Sequence, residues 1–162
     1  IYYKDNEPVY YVNQDPFADY DTASDNAFDK MNDIITRYSQ SDPKKALNVM
    51  LVVTDGFRDD KGSRGGGNNL KTIVFSNDKC TAIKSNGTRI AILYTKYDVA
   101  TLQGDGWSKG QNLTESKLGT ISDTLQSCAS PGLFSMVSVD QDISKSFASL
   151  FSNVIATARI TH

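Results

Sequence analysis

The chain has 162 residues, of which 39% are hydrophobic and 22% charged, and its formal net charge is −2. Chains of this length and balance form one domain with a core of its own, and the scattered basic residues exclude the basic surface that nucleic-acid binding requires. Apolar runs such as residues 49–53 are far shorter than the roughly 18 to 20 residues that cross a membrane, so we expect a soluble domain.

Residues 1–20 are rich in Tyr and Asp and carry Pro8 and Pro16, which interrupt any long element. We therefore predict a short strand near residues 9–12 and loop around it. We treat this N-terminal segment as separate from one α/β domain over residues 21–162.

A helix is predicted where the pattern changes at Ser24. Apolar side chains then recur every three or four residues as far as Tyr38, as in an amphipathic helix. Thr22 or Ser24 is the expected N-cap, and the helix ends at Asp42-Pro43 because the residue before a proline avoids the α region.

A nearly continuous apolar run over residues 47–53 is typical of a strand covered on both faces in a parallel sheet. It stops at Thr54-Asp55-Gly56, and a polar, glycine-rich loop follows over residues 58–69. A short helix over residues 77–84, ended by Asn86-Gly87, leads to a second buried strand over residues 88–95.

The second half of the chain continues this alternation. A long loop is predicted over residues 97–112, and a third helix closes before Pro131-Gly132. Its inner stripe consists of Leu118, Ile121, Leu125 and Cys128. A third strand is predicted over residues 133–139. A terminal amphipathic helix begins at residue 143 behind Asp140 or Asp142 as its cap.

The order of elements predicts a doubly wound, mainly parallel sheet with helices on both faces, because parallel crossovers are right-handed. Functional side chains in such sheets lie beyond the carboxyl ends of the strands. Thr54 and Asp55 are expected there, and their oxygens suit a hard divalent cation. The alternative is that both side chains only satisfy the backbone of the turn.

The strand end is also the predicted surface for binding other proteins. It combines the loops over residues 56–69 and 96–112, and loops longer than about 12 to 15 residues commonly carry function. The side chains predicted on this face are Phe57, Arg58, Asp59, Asp60, Tyr97 and Trp107.

Residues 51–56 (Leu-Val-Val-Thr-Asp-Gly) resemble the strand that supplies the third element of the metal-ion-dependent adhesion site in von Willebrand factor A domains. The resemblance implies a cation, Mg²⁺ or Ca²⁺, with Asp55 acting mainly through water and Thr54 beside it. Thr22 is the counterpart of the family's loop threonine, or an ordinary N-cap. The family's first element, Asp-x-Ser-x-Ser, has no match. We therefore expect a degenerate site that holds metal weakly, in a fold lacking its first strand.

A second resemblance is to the TadG-like proteins of bacterial tight-adherence (Flp) pilus assembly. It lies in residues 54–60, 80–84, 89–95, 128–134 (Cys-Ala-Ser-Pro-Gly-Leu-Phe) and 156–161. It implies a non-enzymatic protein of the bacterial periplasm or cell surface that binds other pilus or envelope proteins. Contact with the membrane would be made only by an N-terminal anchor outside these residues.

The two cysteines are predicted to form a disulfide. Cys128 lies on the inner stripe of its helix and Cys80 lies near the start of the preceding helix, so the two helices can be neighbours. The alternative is a pair of buried thiols that behave as small apolar side chains.

The competing hypothesis is a small metal-dependent α/β hydrolase, similar to a phosphohydrolase, with Asp55 as nucleophile or metal ligand. It needs a second carboxylate at the same strand end, and Asp98 is the candidate. His162, at the C-terminus, is the only histidine, which argues against a Ser-His-Asp arrangement. We expect no enzymatic activity.

Overall fold

The computed structural model describes residues 2–4, 7–9, 24–41, 48–57, 76–102, 114–138 and 140–160. Its strands are β1 (Tyr2–Lys4), β2 (Glu7–Val9), β3 (Val49–Thr54), β4 (Arg89–Lys96) and β5 (Phe134–Ser138). Its helices are α1 (Ser24–Ser41), α2 (Asn77–Ser85), α3 (Val99–Leu102), α4 (Glu115–Cys128) and α5 (Ile143–Ile160).

The main sheet is three-stranded and parallel, in the order β3-β4-β5. Its strands alternate with helices along the chain, as the sequence pattern predicts, so an α/β fold with a parallel sheet is confirmed. The carboxyl ends of β3 and β4 lie side by side, since Thr54 is opposite Tyr94.

Two apolar cores lie on opposite faces of this sheet, because successive side chains of β4 alternate between them. On one face, Ile90, Ile92 and Tyr94 belong to the core that contains buried side chains of α1, α2 and α4. On the other face, Ala91 and Leu93 pack with residues of β5 and α5. Burying each large apolar side chain contributes about 1.5 to 3 kcal/mol.

One face of β3 departs from the prediction. The apolar run was expected to be covered on both faces, yet Leu51 is 40% exposed and Val53 is 56% exposed. Helix α5 packs against β4 and β5, and β3 pairs with β4 alone among the described strands. Helix α5 also leaves apolar side chains exposed, namely Ile143, Phe147, Phe151 and Ile155.

Backbone bonds around Ser130 explain how the chain passes from α4 to β5. The Ser130 N–H donates to the Ile90 carbonyl at 2.8 Å, and the Ile90 N–H donates to the Ser130 hydroxyl at 3.0 Å. Gly132 then adopts a φ of 75°, a conformation that favours glycine. The segment after Cys128 is thereby fixed against the middle strand.

Several boundaries differ from those expected. Strand β2 pairs with β1 in an antiparallel arrangement, with Tyr2 opposite Val9. A strand was predicted near residues 9–12, so β2 ends where the predicted strand begins. Helix α3 lies within the predicted loop over residues 97–112, and its first turn is capped by Asp98. Asp142, one of the two expected caps, does cap α5, since its Oδ1 accepts from the Lys145 N–H at 3.1 Å.

In the part of the chain that is described, no helix is long and apolar enough to cross a membrane.

Candidate functional site

The strand-end turn consists of residues 54–57 and begins at Thr54, the last residue of β3. Hydrogen bonds from its backbone to its own side chains stabilise it. The Gly56 N–H donates to Thr54 Oγ1 at 2.9 Å, and the Phe57 N–H donates to Asp55 Oδ1 at 3.2 Å. Such side-chain bonds to the backbone two residues later stabilise tight turns. Both predicted site side chains therefore have a structural role in the turn.

Gly56 is required by the packing of this turn. Its φ is 84°, and a Cβ atom added there would overlap Ile121 Cγ2 of α4. Any other residue would be strained in its backbone and would also overlap the core. The turn is thus seated directly on α4.

Tyr97, just beyond β4, ties the turn to the neighbouring strand end. Its hydroxyl donates to Asp55 Oδ2 at 3.2 Å, and its ring centroid lies 5.7 Å from that of Phe57. The Thr95 hydroxyl donates to the Thr54 carbonyl at 3.2 Å and adds a second link. Burial raises the pKa of the Tyr97 phenol above its ordinary value, and the charge and hydrogen bond of Asp55 add to this shift.

Tyr94 lies beneath the turn and is fully buried. Its hydroxyl has no hydrogen-bond partner in the described structure. Burial is the largest cause that raises the pKa of Tyr94 to about 12, followed by the negative charges of Asp55 and Glu115. The phenol therefore remains neutral throughout the physiological range.

An exposed ion pair borders the site. Lys96 Nζ lies 2.9 Å from Glu115 Oε2, which links the end of β4 to the first turn of α4. Exposed pairs of this kind contribute at most about 1 kcal/mol, because solvent screens them. The border therefore carries both charge signs and favours neither an anion nor a cation.

The residues that the structure describes at the strand end do not fit a divalent cation. Such an ion takes about six oxygen ligands, whereas the strand-end turn offers one carboxylate and one hydroxyl that already accept hydrogen bonds. Within the described ranges, no group of three or more His, Cys, Asp or Glu side chains could hold a metal. Thr22, the third predicted ligand, lies outside the described residues.

The predicted protein-binding face is described only in part. Phe57 is 6% exposed and belongs to the core, so its side chain offers little surface to a partner. Tyr97 is half-buried and lies at the strand end, as expected. The remaining members, Arg58, Asp59, Asp60 and Trp107, lie outside the described residues.

Asp98, the second carboxylate of the hydrolase hypothesis, caps α3. Its Oδ1 accepts from the Ala100 N–H at 2.9 Å. Sequence reasoning missed the bond between Tyr97 and Asp55 and the buried Tyr94 hydroxyl. Both features depend on the register of β3 and β4, which places Tyr94 opposite Thr54 and which no sequence signal supplied.

Cys80 and Cys128 form a disulfide that joins α2 to α4, with their Cα atoms 5.2 Å apart. Both side chains are buried. Polar bonds flank this link: Lys84 Nζ donates to the Ser127 carbonyl at 3.0 Å, and the Ser127 hydroxyl lies 3.1 Å from Asn77 Oδ1. The two helices that support β4 are therefore covalently joined.

Comparison of the chain with protein-family models, with curated proteins and with solved structures gives no match.

Proposed function

We propose that this chain is a von Willebrand A-like domain of the TadG-like kind that binds other pilus or envelope proteins through its strand-end face. The observation that carries the proposal is the hydrogen bonding of Asp55. Its two carboxylate oxygens accept from the chain itself, at Phe57 and Tyr97. A carboxylate held in this way suits a rigid binding surface better than a nucleophile.

The order of the strands in the sheet supports the proposed family. The strand that ends in Thr54-Asp55-Gly56 lies beside the next strand of the chain, and the third lies beyond it, all parallel. The segments that resemble TadG-like proteins include the end of β3, most of β4 and the start of β5. This agreement of order and motif favours the von Willebrand A-like type over other α/β folds.

The disulfide favours an exported protein. Disulfides persist in oxidising compartments such as the bacterial periplasm and the cell surface, and reducing systems keep cytosolic thiols reduced. The bond between Cys80 and Cys128 therefore agrees with the envelope location that the resemblance implies.

Site-specific photo-crosslinking tests the proposed binding face. A photo-reactive amino acid replaces Ala100, which is exposed just beyond β4, and the matched control replaces Ser85, which is exposed before the start of the same strand. The chain is exported in a bacterium that assembles Flp pili, and the adducts are identified by mass spectrometry. We expect pilus or envelope proteins at position 100 and not at position 85. The same adducts at both positions, or none at either, would contradict the proposal.

A further inference from the structure

We infer that Asp55 is an internal hydrogen-bond acceptor that holds the strand-end turn to β4 through Tyr97, and that this turn keeps its shape without a divalent cation. This inference goes beyond the proposed function, because it concerns how the face is held in shape whatever partner binds there. It also departs from the metal site that the sequence motif implies.

The first step concerns the acceptors. Asp55 Oδ1 accepts from the Phe57 N–H at 3.2 Å and Oδ2 accepts from the Tyr97 hydroxyl at 3.2 Å. Thr54 Oγ1 accepts from the Gly56 N–H at 2.9 Å. These bonds fix both side chains to the turn, and one carboxylate with one hydroxyl supplies far fewer than the roughly six oxygen ligands that a divalent cation takes.

The second step concerns what the turn packs against. The space beside Gly56 is filled by Ile121 and Leu125 of α4 and by the Tyr94 ring. The Phe57 ring packs against Tyr97. These apolar and aromatic side chains supply no carboxylate ligand for a hard cation, which needs oxygen around it.

The third step concerns Glu115, a carboxylate whose charge acts on the same buried tyrosine as that of Asp55. Glu115 is close enough to raise the pKa of Tyr94, but its Oε2 is paired with Lys96 Nζ at 2.9 Å. The donors to Asp55 are thus the Phe57 N–H and the Tyr97 hydroxyl, and the charges of Glu115 and Lys96 are paired with each other.

A double-mutant cycle on the isolated chain tests the bond. Asp55→Ala and Tyr97→Phe should each lower the thermal midpoint, and the double variant should lower it by no more than the larger single effect, because both remove one shared hydrogen bond. Asp123→Ala, on the exposed face of α4, is the matched control and should be additive with Tyr97→Phe. Additive loss for Asp55 and Tyr97, or no loss from either, would overturn the inference.

The same variants test the cation. Millimolar Mg²⁺ or Ca²⁺ should leave the thermal midpoint of the parent chain unchanged relative to a chelator. A rise in the parent that disappears in Asp55→Ala would show that the carboxylate binds metal. If Asp55→Ala does not fold, Asp55→Asn replaces it in these measurements. No partner is present in these measurements, so a failure of the crosslinking test and a failure here are distinguishable.

Discussion

At the scale of single residues, the strand-end turn depends on the glycine that follows Asp55. Gly56 combines a φ of 84° with a position directly against α4, whereas Gly87 has a similar φ of 80° and open space around it. Substitutions at the two glycines therefore distinguish the free-energy cost of the backbone conformation from that of crowding against α4.

We predict that Gly56→Ala lowers the free energy of unfolding by about 3 kcal/mol, from a left-handed backbone and an overpacked core together. Gly87→Ala should cost only about 1 kcal/mol, since the backbone penalty acts alone there. Chemical denaturation of both variants measures the difference. Equal losses would show that α4 does not crowd the turn.

Tyr94 allows a prediction about pH. Its buried hydroxyl has no partner among the described residues, so Tyr94→Phe should raise the free energy of unfolding by about 1 kcal/mol at neutral pH. The folded pKa of about 12 exceeds the ordinary value of 10.0. A raised folded pKa contributes stability that is fully present below about pH 10 and is lost as the pH rises through about 12.

Denaturation of the parent chain should therefore show a decline in stability across this alkaline range, and Tyr94→Phe should remove that component of the decline. Equal alkaline slopes in the two proteins would show that folding does not raise the pKa of Tyr94. A large loss of stability in the variant at neutral pH would mean that the hydroxyl has a partner.

At the scale of elements, α2 and α4 are held together by one covalent bond and by polar contacts at their surface. The disulfide closes a sequence separation of 48 residues that contains all of β4. Its effect therefore falls on the central strand of the sheet as well as on the two helices.

Replacing both cysteines by alanine should lower the free energy of unfolding by about 4 kcal/mol, which is the chain-entropy value for a loop of this length. Because both sulfur-bearing side chains are buried, reductant should attack the native bond slowly, with a rate that follows opening of the fold. Denaturation of the variant and timed alkylation of the parent test the two statements. Fast thiol release under native conditions would contradict the burial.

The two sides of helix α5 differ in solvent exposure: Leu150 is only 2% exposed and Phe151 is 50% exposed. We predict that Leu150→Ala costs about 3 kcal/mol, as large-to-small changes in a core do. Phe151→Ala should cost about half as much or less, although phenylalanine is the larger side chain. A larger loss for Phe151 would show that the exposed flank of α5 is buried in solution.

At the scale of the whole molecule, short apolar segments predicted the strands of the main sheet, and apolar side chains recurring every three or four residues predicted the long helices α1, α4 and α5. Asn86-Gly87 also marked the end of α2 correctly, and both N–H groups bond back to the helix. Apolar composition alone could not show that β3 has one uncovered face, since Leu51 and Val53 look the same in sequence as the buried Met50.

The candidate site was predictable in position and not in its bonding. A hydroxyl and a carboxylate at a strand end suggest a ligand, but their acceptors are used by Phe57 and by Tyr97, which lies 42 residues from Asp55 in sequence. Contacts of that range depend on the register of two strands. No local pattern contains this information.

Calorimetric titration of the metal-free chain with Mg²⁺ tests most directly whether Asp55 serves the fold or a cation. We predict binding no tighter than about millimolar, in the range of weak, water-rich cation sites, with the same result for Asp55→Ala. Micromolar binding in the parent chain that is lost in Asp55→Ala would show that the carboxylate is a metal ligand, and it would contradict the account given for the strand-end turn.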